Sequence, residues 1–224
     1  PYGGPQGQVV TDAWHGNSLL FDELLASEGI AVLHVDNRGM GGRSKKFATT
    51  LFRNFGEIEL KDQLTAIDQA LAKYPQLDPH RLGWWGWSYG GYMTLYALTH
   101  SDRFVGGVAV APVTDWHNYD SIYTERYMGL PKDNEDAYKK SSPVTTAANL
   151  HGDVLIVHGT GDDNVHTQNT IQMIEALIEG HKRFELMLYP RKTHSIAGAL
   201  DQTDLFNRIN AHFEKILLGQ PKAQ

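Results

Sequence analysis

The chain contains no cysteine among its 224 residues. That excludes a disulfide framework, a thiolate metal site and a cysteine nucleophile. No apolar run approaches the ~20 residues that a membrane-spanning helix needs, so no membrane segment is expected within it. Positive charge is not in excess either: 20 Lys and Arg stand against 26 Asp and Glu, a formal net charge of −6. With no basic run to offset that balance, a nucleic-acid partner is not expected. Neither H-E-x-x-H nor a dinucleotide fingerprint occurs, so no metal and no organic cofactor is expected. Repeats and low-complexity linkers are missing as well, and residues 1–224 read as one domain. The chain opens on Pro1 and not on methionine, so upstream residues are expected. The compartment is thereby left open, with a periplasmic or secreted setting favoured over a cytoplasmic one.

What is present is ordinary in bulk and specific in detail. Hydrophobic residues at 41% and charged residues at 21% suit a globular chain long enough to bury a sizeable core. Helix-like and strand-like segments alternate along it, the pattern of a parallel sheet covered on both faces. Ser18 to Ser27 and Glu57 to Tyr74 carry apolar residues at helical spacing, the latter at Ile58, Leu64, Ile67 and Leu71. Strands are expected at 30–35, 82–87, 105–110, 154–157 and 184–189. Thr167 to Ile178 and a closing segment with Leu205, Ile209 and Phe213 are expected as helices. Residues 112–150 read as irregular and rich in aromatics. The fold class is α/β.

Residues 86–91 read Gly-Trp-Ser-Tyr-Gly-Gly, between the strand-like 82–87 and the helix-like 92–98. Glycines on both sides of Ser88 permit a turn too tight for residues with a Cβ. Such a turn presents the serine Oγ above the sheet, and the unpaired N–H groups of the new helix can bind a developing oxyanion. This is the nucleophile elbow of the α/β-hydrolase fold. A serine hydroxyl needs a base to take its proton, and that base is commonly His oriented by a carboxylate. In this fold the chain order is Ser, acid, His, each after a strand. The loop after 154–157 contains Asp162 and Asp163, and the loop after 184–189 contains His194. Of 11 histidines, His158 and His166 flank the acid loop, but only His194 stands in the last strand–helix loop. Asp115 and Asp120 lie in what reads as a substrate wall. Spacing alone does not separate Asp162 from Asp163.

Several stretches carry a resemblance: Tyr2-Gly3-Gly4-Pro5, Asp36-Asn37-Arg38-Gly39, Gly86 to Tyr92, and Ala111-Pro112-Val113 followed by Tyr123 to Pro131. His158-Gly159-Thr160 with Asp162 to His166 completes the set. In these the chain resembles the catalytic domain of the prolyl oligopeptidase family of serine peptidases, in its dipeptidyl peptidase IV branch. The motifs span nearly the whole chain. The resemblance implies Asp162 as the acid and Asp163 as a structural hydrogen-bonding residue. It implies Tyr2 and the Tyr89 N–H as oxyanion donors, a neutral phenol being suited to that task. It implies Asn164 as a holder of a substrate carbonyl. Val113, Trp116, Tyr119, Tyr123 and Val165, with the Tyr89 ring, would line a pocket for a proline ring. Arg126 is implied either in a salt bridge or at the substrate. The sequence around the histidine, Lys192-Thr193-His194-Ser195, departs from the family's usual acidic residues before it and Gly after it.

The activity implied is release of N-terminal dipeptides with Pro, or less well Ala, at the second position, from peptides with a free N-terminus. Other implied readings are an acylaminoacyl-peptidase or oligopeptidase of the same family, a small-ester hydrolase, or a non-catalytic scaffold. The resemblance further implies a β-propeller upstream and a homodimer for the full-length protein. It also implies earlier strands of the sheet, one of them inserted between the segments at 30–35 and 82–87.

Overall fold

One parallel sheet organises the computed structural model, which describes residues 1–219. Strands β1 (Gly83–Trp87), β2 (Gly106–Val110), β3 (Asp153–Gly159) and β4 (Glu185–Tyr189) lie side by side in chain order. The register sets Trp84 opposite Gly107 and Gly107 opposite Val154. Successive side chains of a strand point to opposite faces, and the buried residues sort accordingly. Trp84, Ala109, Val154 and Ile156 face one core, where they meet α3 (Glu57–Lys73), α4 (Tyr89–His100) and α7 (Gln168–Glu179). Val108, Val110, Leu155 and Val157 face the other, against Phe21 and Leu25 of α1 (Asn17–Ser27) and Leu205, Ile209 and Phe213 of α8 (Ala199–Phe213). The expected sheet covered on both faces is present, and α4 is buried along its length except for its last residue.

Two expectations differ from the structure. Residues 30–35 form no strand, and no strand of the described residues pairs with them. A groove of about 500 Å³ is lined by Ile30 and Val32 of this segment and by Trp84, Ile67, Leu71 and Leu217. The stripe Ile67–Leu71 of α3 therefore faces the groove, and the fully buried face of that helix is Glu59, Leu60 and Gln63 instead. Residues 112–150 are not irregular throughout. They contain α5 (Ser121–Met128) and α6 (Pro131–Ser141), with 3-10 turns at Trp116–Asn118 and Pro143–Asn149. Short α2 (Lys45–Ala48) and a π-helical turn at Glu214–Leu218 complete the helical elements of the described residues.

The chain leaves every strand at the same edge of the sheet, where α/β proteins gather their functional loops. Ser88 follows β1, the aromatic segment follows β2, the Asp162 loop follows β3, and the His194 loop follows β4. Asn169 in the first turn of α7 ties two of these together. Its Oδ1 accepts from the amides of Thr114 at 3.0 Å and Asp115 at 3.4 Å, and its carbonyl accepts from Thr114 Oγ1 at 2.7 Å. Asn169→Leu would leave the buried Thr114 amide and the part-buried Asp115 amide without an acceptor. We expect it to lower the unfolding free energy by about 1–3 kcal/mol in a urea titration. An unchanged midpoint would mean that this link does not hold the loops.

Candidate active site

Ser88 is the residue at which β1 becomes α4. Its backbone sits at φ 60°, ψ −116°, a region that residues with a Cβ rarely adopt. The amide of Ser88 donates to Val110 O at 2.8 Å, and its carbonyl accepts from Tyr92 N at 2.9 Å. Its side chain does not cap the helix, so the Oγ is not committed to the backbone below it. The flanking glycines are demanded by crowding. A Cβ on Gly86 would strike the Pro1 carbonyl and Gly90, and one on Gly90 would strike the Pro1 carbonyl again.

The acid loop and the histidine loop meet at one carboxylate. His194 Nδ1 lies 2.7 Å from Asp162 Oδ2, and the Asp162 side chain is fully buried. Asp162 Oδ1 accepts from the amides of Asn164 at 3.0 Å and Val165 at 2.9 Å. Burial by itself would raise this carboxyl. The hydrogen bonds from His158, His194 and the Asn164 amide outweigh it and hold the group well below the usual carboxylate range. An anionic Asp162 fixes Nδ1 of His194 as the protonated nitrogen and leaves Nε2 to act as a base. The loop is also tied to the elbow, since Trp87 Nε1 donates to the His194 carbonyl at 2.9 Å. The residue before the nucleophile candidate therefore holds the base candidate.

Asp163, one residue on, is exposed and makes no hydrogen bond or ion pair among the described residues. The structural hydrogen-bonding role implied for it is not observed. Asp115 and Asp120 are engaged locally, accepting from the amides of His117 and Tyr123 at the starts of a 3-10 turn and of α5. Asp115 Oδ1 also meets His117 Nδ1 at 2.7 Å and accepts from Ser142 Oγ at 3.3 Å. His166 is exposed. His158, set aside on its place in the chain, is fully buried and lies 3.2 Å from Asp162 Oδ2. Its Nε2 faces the Val165 carbonyl at 2.8 Å, an acceptor, so Nε2 carries the proton and Nδ1 accepts from Thr170 Oγ1 at 2.7 Å. The same N–H is thereby aimed between Val165 and the acid. Its position near the end of β3, four residues before Asp162, was the available signal.

Tyr2 packs beside Tyr89 with ring centroids 5.9 Å apart. Gly7 leaves the space its ring fills, since a Cβ there would run into it, and a Cβ on Gly4 would strike the Tyr89 ring. Burial, with a smaller contribution from Tyr127, raises the Tyr2 phenol above its ordinary value and keeps it a neutral donor. The aromatic segment after β2 comes together around Trp116. Tyr123 stacks over it at 6.4 Å, Tyr119 meets it edge-on at 6.2 Å, and the Tyr89 ring lies 5.4 Å away. Val113 and Val165 are buried in the same core. Asn164 is exposed, and its Oδ1 accepts from Tyr119 OH at 2.8 Å. Arg126 makes no ion pair among the described residues and lies over the Tyr127 ring at 5.5 Å.

Beneath this wall stands a carboxylate that the apolar reading of α3 missed. Glu59 is fully buried; its Oε1 accepts from Tyr89 OH at 2.6 Å and its Oε2 from Gly56 N at 2.9 Å. Burial is the main cause that pushes this carboxyl up to about 7, against the lowering effect of those two hydrogen bonds. A Glu and a Gln four residues apart on one face, at 59 and 63, were the signal that this face is not simply apolar.

A family model described as the prolyl oligopeptidase family matches residues 21–220. The chain is 39% identical over 218 residues to prolyl endopeptidase FAP of Mus musculus, covering 96% of this chain and 28% of that protein. It is 38% identical over 224 residues to dipeptidyl peptidase 4 of Sus scrofa, covering 98% of this chain and 29% of that protein. Among solved structures it superposes on the dipeptidyl peptidase 4 of Porphyromonas gingivalis with a TM-score of 0.90 and 41% identity. That match covers 96% of this chain and 30% of the other. The chain thus spans less than a third of the length of these relatives.

The buried Glu59 generates a test of the site's electrostatics. Its folded-state value of about 7 exceeds the ordinary 4.5, so the folded protein binds a proton that the unfolded chain has released between those values. The resulting stabilisation is fully present below about 4.5 and is lost as pH rises through about 7. Glu59→Gln should remove that dependence. The stability of the wild type relative to the variant should fall between pH 4.5 and 8 by on the order of 3 kcal/mol. Parallel stability curves for the two proteins would contradict the burial of an ionisable Glu59.

Proposed function

The chain belongs to the prolyl oligopeptidase family, and on that premise we propose that it carries the catalytic machinery of a serine dipeptidyl peptidase. Ser88 Oγ attacks the carbonyl carbon of the substrate's second residue. His194 takes the Ser88 proton as the bond forms and returns it to the leaving amine. Asp162 orients the imidazole and balances its charge. The Tyr89 N–H and the Tyr2 hydroxyl receive the oxyanion. Collapse of the tetrahedral intermediate expels the amine and leaves a dipeptidyl ester on Ser88, which water hydrolyses with His194 again as base. The observation that carries the reading is one linked pair of contacts. His194 Nδ1 is 2.7 Å from Asp162, and the same residue's carbonyl is held at 2.9 Å by Trp87, the neighbour of Ser88.

The pocket chemistry supports proline at the second position. A pyrrolidine ring is compact and has no N–H left once acylated, so flat aromatic walls such as Trp116 and Tyr123 and the short aliphatics Val113 and Val165 suit it. Asn164 and Tyr119 at the rim offer polar groups to the substrate backbone. Recognition of a free amino terminus belongs, in this reading, to an upstream β-propeller of the full-length protein, which we take to act as a homodimer.

The test uses the full-length protein with Gly-Pro and acetyl-Gly-Pro anilides. Only the free amine should be cleaved, and Ser88→Ala should lower turnover by about 10⁶-fold, on the precedent of nucleophile removal in an unrelated serine protease. Tyr123→Ala should weaken Gly-Pro cleavage more than Gly-Ala cleavage, by about 1–3 kcal/mol. Turnover by Ser88→Ala would remove the proposal. Cleavage of the acetylated substrate would move it to an endopeptidase or acylaminoacyl-peptidase mode.

A further inference from the structure

The turn Asp36-Asn37-Arg38-Gly39 has no part in the mechanism above, yet it touches the loop of Tyr2 at several points. Asn37 is 1% exposed. Its Nδ2 donates to the Gly3 carbonyl at 3.0 Å and to the Arg38 carbonyl at 2.9 Å. Both partners are acceptors only, so the amide NH₂ must face them and Oδ1 must face a donor. That donor is Gln63 of α3, whose Nε2 lies 3.1 Å from Asn37 Oδ1 and 3.1 Å from the Val35 carbonyl. Four buried polar groups are thus satisfied in one orientation, and a flipped Asn37 amide would set like against like at both ends.

The remaining contacts run in the same direction. Asp36 Oδ1 accepts from the amides of Val9 at 2.8 Å and Val10 at 3.2 Å. The Gly41 amide donates to the Gly7 carbonyl at 2.7 Å. Arg38 is bound to Asp62 of α3 by its backbone amide and by its guanidinium, the shortest contact being 2.6 Å. The turn is therefore stapled to α3 on one side and to residues 3–10 on the other. Gly3, the residue after Tyr2, stands at φ 88°, where an ordinary side chain would be strained. Its carbonyl is the contact nearest in sequence to the Tyr2 ring. Asn37 thus holds the backbone one residue from Tyr2.

We propose that Asn37, held by Gln63, is a positioning residue that sets the Tyr2 hydroxyl for the oxyanion. The inference rests on the reading of Tyr2 as an oxyanion donor. An oxyanion hole is useful only when its donors are fixed before charge develops. A loop without a buried tether would have to be ordered anew at each turnover. The α3 helix supplies the tether from its one polar buried face, where Gln63 holds Asn37 and Glu59, a turn earlier, holds Tyr89.

The test is a double-mutant cycle in the full-length protein, reading the single-turnover acylation rate and the substrate Kd for a Gly-Pro anilide. Tyr2→Phe removes one oxyanion donor and should slow acylation by about 10²-fold. Asn37→Ala should slow it by about tenfold with Kd within about twofold, because only the transition state loses a contact. In the Tyr2→Phe background Asn37→Ala should have almost no further effect, since its target is gone. Gln63→Met, close in volume, should behave as Asn37→Ala does and serves in its place should that variant fail to fold. Equal losses in both backgrounds would overturn the positioning role while leaving Tyr2 as a donor. A Tyr2→Phe variant with unchanged acylation would overturn the reading of Tyr2 itself, and the proposal with it.

Discussion

Ser88 is held at a positive φ by contacts from three directions, and each engages a different part of the fold. A residue with a Cβ in such a conformation costs of order 1–3 kcal/mol, and it persists only when its surroundings over-determine it. From one side β2 supplies the Val110 carbonyl that takes the Ser88 amide, and from below α4 returns the Tyr92 amide to the Ser88 carbonyl. From the third side the Pro1 carbonyl passes so close that only glycine fits at 86 and 90. The tightness of the sheet, the start of α4 and the course of the first residues are therefore one problem with one solution. That solution leaves the serine hydroxyl free of the helix it begins.

Charge is arranged around the elbow with the same economy. Asp162 is buried, and its two oxygens accept from two backbone amides and face two histidines, so ionisation is favoured in spite of burial. Glu59 is buried as well but has only a phenol and one amide, and its carboxyl goes the other way. Two carboxylates near one site are thus driven apart in proton affinity by the number of donors each receives. One holds the His194 ring by its Nδ1. The other anchors the hydroxyl of Tyr89, the residue directly after Ser88.

How much of this could be read from the residues differs from part to part. The strand at 82–87, the turn at Ser88 and the helix after it were legible because local chemistry alone dictates them: glycines where the backbone is crowded, aromatics and aliphatics where it is buried. The loops of Asp162 and His194 were legible because the fold puts functional loops after strands. Residues 30–35 were read as a strand from composition, but a strand also needs a neighbour, which no local pattern supplies. The polar face of α3 was missed because Glu59 and Gln63 look like solvent-facing residues until their partners Tyr89 and Asn37, distant in sequence, are known. His158 was passed over for a similar reason, since its contact with Asp162 depends on how the acid loop folds back on β3. Neither carboxylate of the 162–163 pair could be preferred on spacing; only the fold turns Asp162 inward and leaves Asp163 in water.

The central claim is that the strained serine, backed by the His194 and Asp162 pair, is a nucleophile. It is tested most directly by treating the full-length protein with a phosphonylating reagent and locating the label by peptide mass mapping. The label should fall on the peptide containing Ser88 and on no other serine, and it should disappear in Ser88→Ala. Labelling elsewhere, or labelling that survives in the variant, would contradict the claim.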